Sequence, residues 1–136
     1  MYDASERWVQ ENLSAVQTMD SAAIPATPWP EMPIPDEQVV EGRPDARGLV
    51  VHQTPDQLVS SGFWQCSPSK FTWEFTWDEF VCVIEGRVTI SDNHGNTLTL
   101  GPGDVASFAK GLSTTWHVQE QVRKFFVIRT SESLET

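Results

Sequence analysis

The stretch "KFTWEFTWDEFVCVIEG", Lys70–Gly86, alternates aromatic and polar residues and then becomes a nearly unbroken apolar run ending in Glu-Gly. Alternation with period 2 marks a strand that lays one face on a core. Phe71, Trp73 and Phe75 share one face, and Thr72, Glu74 and Thr76 share the other. The aromatic face is expected to point inward, placing Trp73 inside and Glu74 outside. A slip of one residue would turn Glu74 inward beside Glu79, but it would expose large aromatics at about 1.5–3 kcal/mol each. In "EFVCVIEG" the same period puts Glu79, Val81 and Val83 on one side and Phe80, Cys82 and Ile84 on the other. Both sides need cover. One lines the interior; the other requires the N-terminal segment or a second subunit, so a homodimer is expected.

Outward from this stretch, the texture from Gly48 onward is β. "GLVVHQ", "GFWQCS", "KFTWEFTW", "EFVCVIEG", "RVTISD", "TLTLG", "DVASFA", "TTWHVQ" and "KFFVIRT" are short runs rich in β-branched and aromatic residues. Turn signals such as "TPDQ", "DNHGN" and "GPGD" separate them. About nine short strands at this spacing predict an all-β sandwich or barrel. "RVTISDNHGNTLTL" reads as a hairpin, with Val88 and Ile90 on one face, Leu98 and Leu100 opposite, and His94 in a solvated turn.

Upstream, "DASERWVQENLSAVQTM" predicts a short N-terminal helix. Asp3 can cap it with Glu6 three residues on, and Trp8, Val9, Leu13 and Val16 recur at helical spacing. Five prolines between Pro25 and Pro35 then make an extended arm, because proline lacks a backbone donor and biases its predecessor away from helix. Trp29, Met32 and Ile34 are expected to hold that arm along the domain. The expected organisation is a helix and Pro-rich arm over residues 1–45, a β domain over 46–131 and a tail over 132–136.

The chain has 136 residues, enough to enclose one sizeable core, and carries a formal net charge of -10. That charge opposes binding to a phosphate backbone or an anionic membrane, and Lys and Arg form no cluster. No run approaches the roughly 20 apolar residues of a membrane span. "MYDASERWVQENL" lacks the basic and apolar regions of a secretory signal. Cys66 and Cys82 are too few for a disulfide scaffold and are expected to be reduced and buried. A cytoplasmic location follows as the expectation.

The segment "DEFVCVIEGRVTISDNHGNTLTLGPGDVASFAKGLSTTWHVQEQVRKFFV", with "GFWQCSPSKFTW" upstream, resembles the cupin superfamily. More narrowly it is similar to the small single-domain cupins grouped with the cupin domain of (S)-ureidoglycine aminohydrolase. The resemblance covers Gly62 to Val127 and implies a jelly-roll β-barrel. In metal-binding cupins it further implies two histidines and a glutamate from a first motif and a third histidine from a second, a set suited to manganese, iron, nickel or zinc. Laid on this chain, the first-motif histidine positions fall on Trp73 and Phe75, the glutamate on Glu79, and the third histidine on Thr114. Ala109 stands where the second motif usually has proline. An indole, a phenyl ring and a hydroxyl cannot replace three imidazoles, so no metal or other cofactor is expected. His52 and His117 read as structural residues, His117 turned away from Thr114 by alternation.

Without a metal, Trp64, Trp73, Phe75, Thr114 and Trp116 are expected to line an aromatic cavity around Glu79, the general form of a small-ligand site. A carboxylate there is costly unless compensated, and Lys124 in "VRKFFV" is the candidate cation; the resembling family also carries a lysine in this segment. Glu79 and Lys124 could then perform general acid/base chemistry on a small polar metabolite. Arg123 and Glu120 are expected at the surface. Two other readings stay open: a metal-dependent hydrolase of the ureidoglycine aminohydrolase type, and a non-catalytic dimer whose barrel is filled by its own side chains.

Overall fold

The computed structural model describes residues 19–130. The expected N-terminal helix and the tail over 132–136 lie outside the described residues. Within them, eight strands and one three-residue 3-10 helix, Asp36–Gln38, make up the regular structure. The strands are β1 (Val39–Gly42), β2 (Ala46–Gln53), β3 (Val59–Cys66), β4 (Ser69–Glu74), β5 (Asp78–Asp92), β6 (Thr97–Leu100), β7 (Val105–Phe108) and β8 (Ser113–Arg129). No helix among the described residues is long and apolar enough to cross a membrane.

The tally differs from the nine expected runs for a physical reason. "EFVCVIEG" and "RVTISD" fuse into β5, and "TTWHVQ" and "KFFVIRT" fuse into β8. Both strands run on through Glu85-Gly86 and Glu120-Gln121, where the sequence reads as a break. The β5–β8 register shifts three times between Val83 and Val88, the mark of bulges. Gly86 sits at this bend with φ +86, and a Cβ there would lie 2.0 Å from the Gln121 carbonyl oxygen. Only glycine fits. The strand β1, read in sequence as part of the arm, pairs with β4.

All strand pairings are antiparallel. Beyond the bend, the second half of β8 lies between the first half of β5 and β3, with β7 and β2 outside them. Before it, the first half of β8 lies between the second half of β5 and β4, with β6 and β1 outside. The two sections share one core: Phe71, Val88, Ile90 and Trp116 from one meet Val81, Val83, Phe126 and Ile128 from the other. Trp64 on β3 meets Trp116 edge-on at 5.8 Å. This arrangement is compatible with a jelly roll. The hydrogen-bonded sheet is open, however, because the path ends at β1 on one side and β2 on the other rather than closing on itself.

Residues 19–35 contain no helix or strand, apart from one bridge between Glu31 and Arg47. Trp29 is buried, packs 6.0 Å from Phe63, and carries the Arg123 guanidinium 4.7 Å over its ring. Arg123, expected at the surface, is therefore half-buried, and its guanidinium also donates to Gln65. Ile34 is buried, whereas Met32 is largely exposed. The hairpin pairs Val88 with Leu100 and Ile90 with Leu98, and its turn is held by Asp92, which accepts from the His94 and Asn96 amides. Leu98 does not join the core: it stands exposed while Leu100 is buried.

Candidate functional site

Alternation along β4, β5 and β8 sends one set of side chains into a cavity of about 380 Å3. Trp73 from β4, Glu79 from β5, Trp64 from β3, and Lys124 and Trp116 from β8 all line it, with Phe75 and Trp77 from the loop after β4. Glu74 is exposed, so the aromatic register of Lys70–Gly86 holds.

Glu79 and Lys124 meet inside. Lys124 Nζ donates to Glu79 Oε2 at 2.6 Å, and the two side chains are 9% and 7% exposed, respectively. Glu79 Oε1 accepts from Trp77 Nε1 at 3.0 Å. The ammonium also lies 4.8 Å from the ring centroids of both Trp64 and Trp116. A carboxylate and an ammonium removed from water are thus compensated by each other, by an indole N–H and by two ring faces.

Thr114 sits elsewhere than expected. It is buried but does not line this cavity; its hydroxyl donates to the Trp73 carbonyl at 2.7 Å and accepts from Trp116 Nε1 at 3.1 Å. It fixes two wall residues in place. Trp77 was not singled out from sequence as a site residue, although it precedes Glu79 by two positions and so shares its side in an extended chain. Phe126 and Ile128 were also missed; with Lys124 they recur at period 2 on β8, a signal open to reading. Ile34 and Met32 join the wall from the Pro-rich segment, where no periodicity announces them.

The metal set implied by resemblance does not fit these residues. Trp73, Phe75 and Thr114 offer no imidazole, and the Thr114 hydroxyl is already engaged. Among the described residues, no three His, Cys, Asp or Glu side chains group closely enough to hold a metal ion. His52 contacts Asp20 at 3.2 Å, and His94 and His117 are exposed. Both cysteines are free; burial pushes the Cys66 thiol up to about 11, while Cys82 is half-buried.

A bent all-β sheet whose inner faces line a cavity is the architecture compatible with a cupin domain. Residues 53–126 match the family described as the EutQ-like cupin domain, and the chain belongs to that family. Among solved structures it is similar to a Salmonella typhimurium LT2 protein assigned as ethanolamine utilization protein Q. That match has 25% identity and a TM-score of 0.56, covering 67% of this chain and 72% of the other. It is also similar to a Pseudomonas syringae pv. tomato protein of unknown function in the DUF861 family, with 26% identity and a TM-score of 0.69, covering 76% of this chain and 44% of the other. The Clostridium difficile EutQ protein, at 18% identity and TM-score 0.58 over 65% of this chain and 70% of its own, shares the fold. No curated protein matches the sequence.

Proposed function

We propose that this cupin domain binds a small molecule in the cavity beside Glu79, without a metal ion, and that Glu79 and Lys124 are its acid/base pair. The observation that carries the reading is the buried Glu79–Lys124 contact opening on a cavity walled by Trp64, Trp73, Phe75 and Trp116. A ligand there meets one proton acceptor and one proton donor in a setting where both are stronger than in water. Thr114, counted from sequence among the ligand contacts, supports the wall.

The finer likeness to (S)-ureidoglycine aminohydrolase would require the three imidazoles that Trp73, Phe75 and Thr114 replace, so metal-dependent hydrolysis is not the favoured chemistry. The cavity volume speaks against a barrel filled by its own side chains. The test is a ligand screen by thermal shift and calorimetry on the wild-type chain and on Glu79→Gln. Ligands that stabilise the first and not the second support the reading; unaltered binding would remove Glu79 from it. Stoichiometric transition metal in the purified protein would overturn metal independence.

The same reading includes a cytoplasmic homodimer. Free Cys66 and Cys82 suit a reducing compartment. Phe80 and Val105, on adjacent strands and on the side of the sheet away from Glu79, are 62% and 74% exposed, and a second copy is the proposed cover.

A further inference from the structure

Building on the small-molecule reading, we infer the chemical class of the ligand: a neutral, largely apolar molecule built on one flat ring and presenting a single hydroxyl to Glu79 and Lys124. This replaces the polar metabolite expected from sequence.

The place where the cavity would hold a cation is already taken. Two indole faces beside a carboxylate are the features that bind a ligand ammonium. Here Lys124 Nζ occupies that position, 4.8 Å from the Trp64 and Trp116 centroids and 2.6 Å from Glu79 Oε2. The pair is also electrically neutral as a unit. A ligand carboxylate would have to share the one ammonium with Glu79, leaving a negative charge in excess. A ligand ammonium would leave a positive one. Either excess is costly where both partners are under a tenth exposed.

Beyond the pair and the indole N–H groups of its tryptophans, the wall is apolar. Ile34, Val50, Phe71, Phe75, Phe126 and Ile128 offer no hydrogen-bonding side-chain atom to a ligand. A polyol would leave hydroxyls unsatisfied there, each weakening binding by roughly ten-fold. Flat aromatic walls favour a flat ring, and about 380 Å3, well above the roughly 150 Å3 that holds benzene, leaves room for substituents on it.

The head group follows from the hydrogen bonds left open. Among the described residues, the Lys124 ammonium has one hydrogen-bond partner for its three donors. Each Glu79 oxygen accepts one bond and can accept another. A hydroxyl accepts and donates through one atom, so it can bond to both at once. Carboxylates only accept, and ammonium groups only donate.

The experiment titrates the full-length protein at neutral pH with p-cresol, benzoate, benzylammonium and erythritol. p-Cresol is expected to bind, with benzoate and benzylammonium at least about ten-fold weaker and erythritol weakest, ten-fold being about 1.4 kcal/mol. If benzoate, benzylammonium or erythritol binds as tightly as p-cresol or more so, the ligand class is wrong while the small-molecule site stands. If none of the four binds, both readings fall. The head group is tested by comparing p-cresol with toluene. Wild type is expected to prefer p-cresol by about ten-fold or more, and the neutral Glu79→Met/Lys124→Met double variant, which offers the hydroxyl no strong partner at these two positions, is expected to show no preference. An equal preference in both proteins would overturn the head-group assignment. The wild-type titrations decide the ligand class even if the double variant does not fold.

Discussion

Lys124 Nζ and Glu79 Oε2 lie 2.6 Å apart although their residues are separated by 45 positions in the chain. Nor are they cross-strand neighbours: in the β5–β8 ladder Glu79 pairs with Ile128 and Lys124 with Val83. Four residues of strand, roughly 13 Å, separate their rows, and two extended side chains close that span along the inner face.

The pair is a sensitive stability element. Lys124→Met leaves a buried carboxylate unpaired and is expected to cost about 3–5 kcal/mol, while the Glu79→Met/Lys124→Met double variant recovers most of that loss. Urea titration of the two single variants and the double variant measures the coupling. Additive losses would mean that the two groups act independently.

Gly86→Ala is expected to be among the most damaging small substitutions in the chain. The added Cβ meets the Gln121 carbonyl at 2.0 Å and the backbone is held at φ +86. The expected loss is more than about 2 kcal/mol or a failure to fold, read as a fall in Tm.

Phe80→Glu tests the outer face. With Phe80 62% exposed, the substitution should change the stability of a single chain by no more than about 0.5 kcal/mol. It places a charge at the proposed contact, and analytical ultracentrifugation is expected to find dimer for wild type and monomer for the variant. A wild-type monomer would sink the proposal.

Cys66 makes a prediction in pH. Burial raises its thiol from an ordinary value of 9.0 to about 11 in the folded protein. The folded state therefore holds this proton more tightly than the unfolded chain. The associated stability is intact below about 9 and is lost as pH rises toward about 11. Denaturation between pH 8 and 11 is expected to show a steeper alkaline decline for wild type than for Cys66→Ala, whatever the variant's overall stability. Equal slopes would contradict it.

Much of this was legible in the sequence because period-2 alternation reports directly on which side chains share a face. That is why the sequence places Trp73 and Phe75 inward and Glu74 outward and marks the β5–β6 hairpin, whose register the structure supplies. The absence of imidazoles at Trp73, Phe75 and Thr114 was equally plain. Alternation does not say how far a strand continues through a bend, so β5 and β8 each read as two strands. Nor does it show whether an inward hydroxyl is free, and that of Thr114 is spent on Trp73 and Trp116.

By itself, then, the sequence determined the all-β class, the faces of the strands and the kinds of group that could reach the interior, all of which depend on local spacing. Tertiary structure alone decided that Lys124 reaches Glu79, that Trp77 holds the other carboxylate oxygen, and that the Pro-rich segment supplies Ile34 and Met32 to the wall. Those contacts depend on register between distant strands and on the bend at Gly86, which no single stretch of chain encodes.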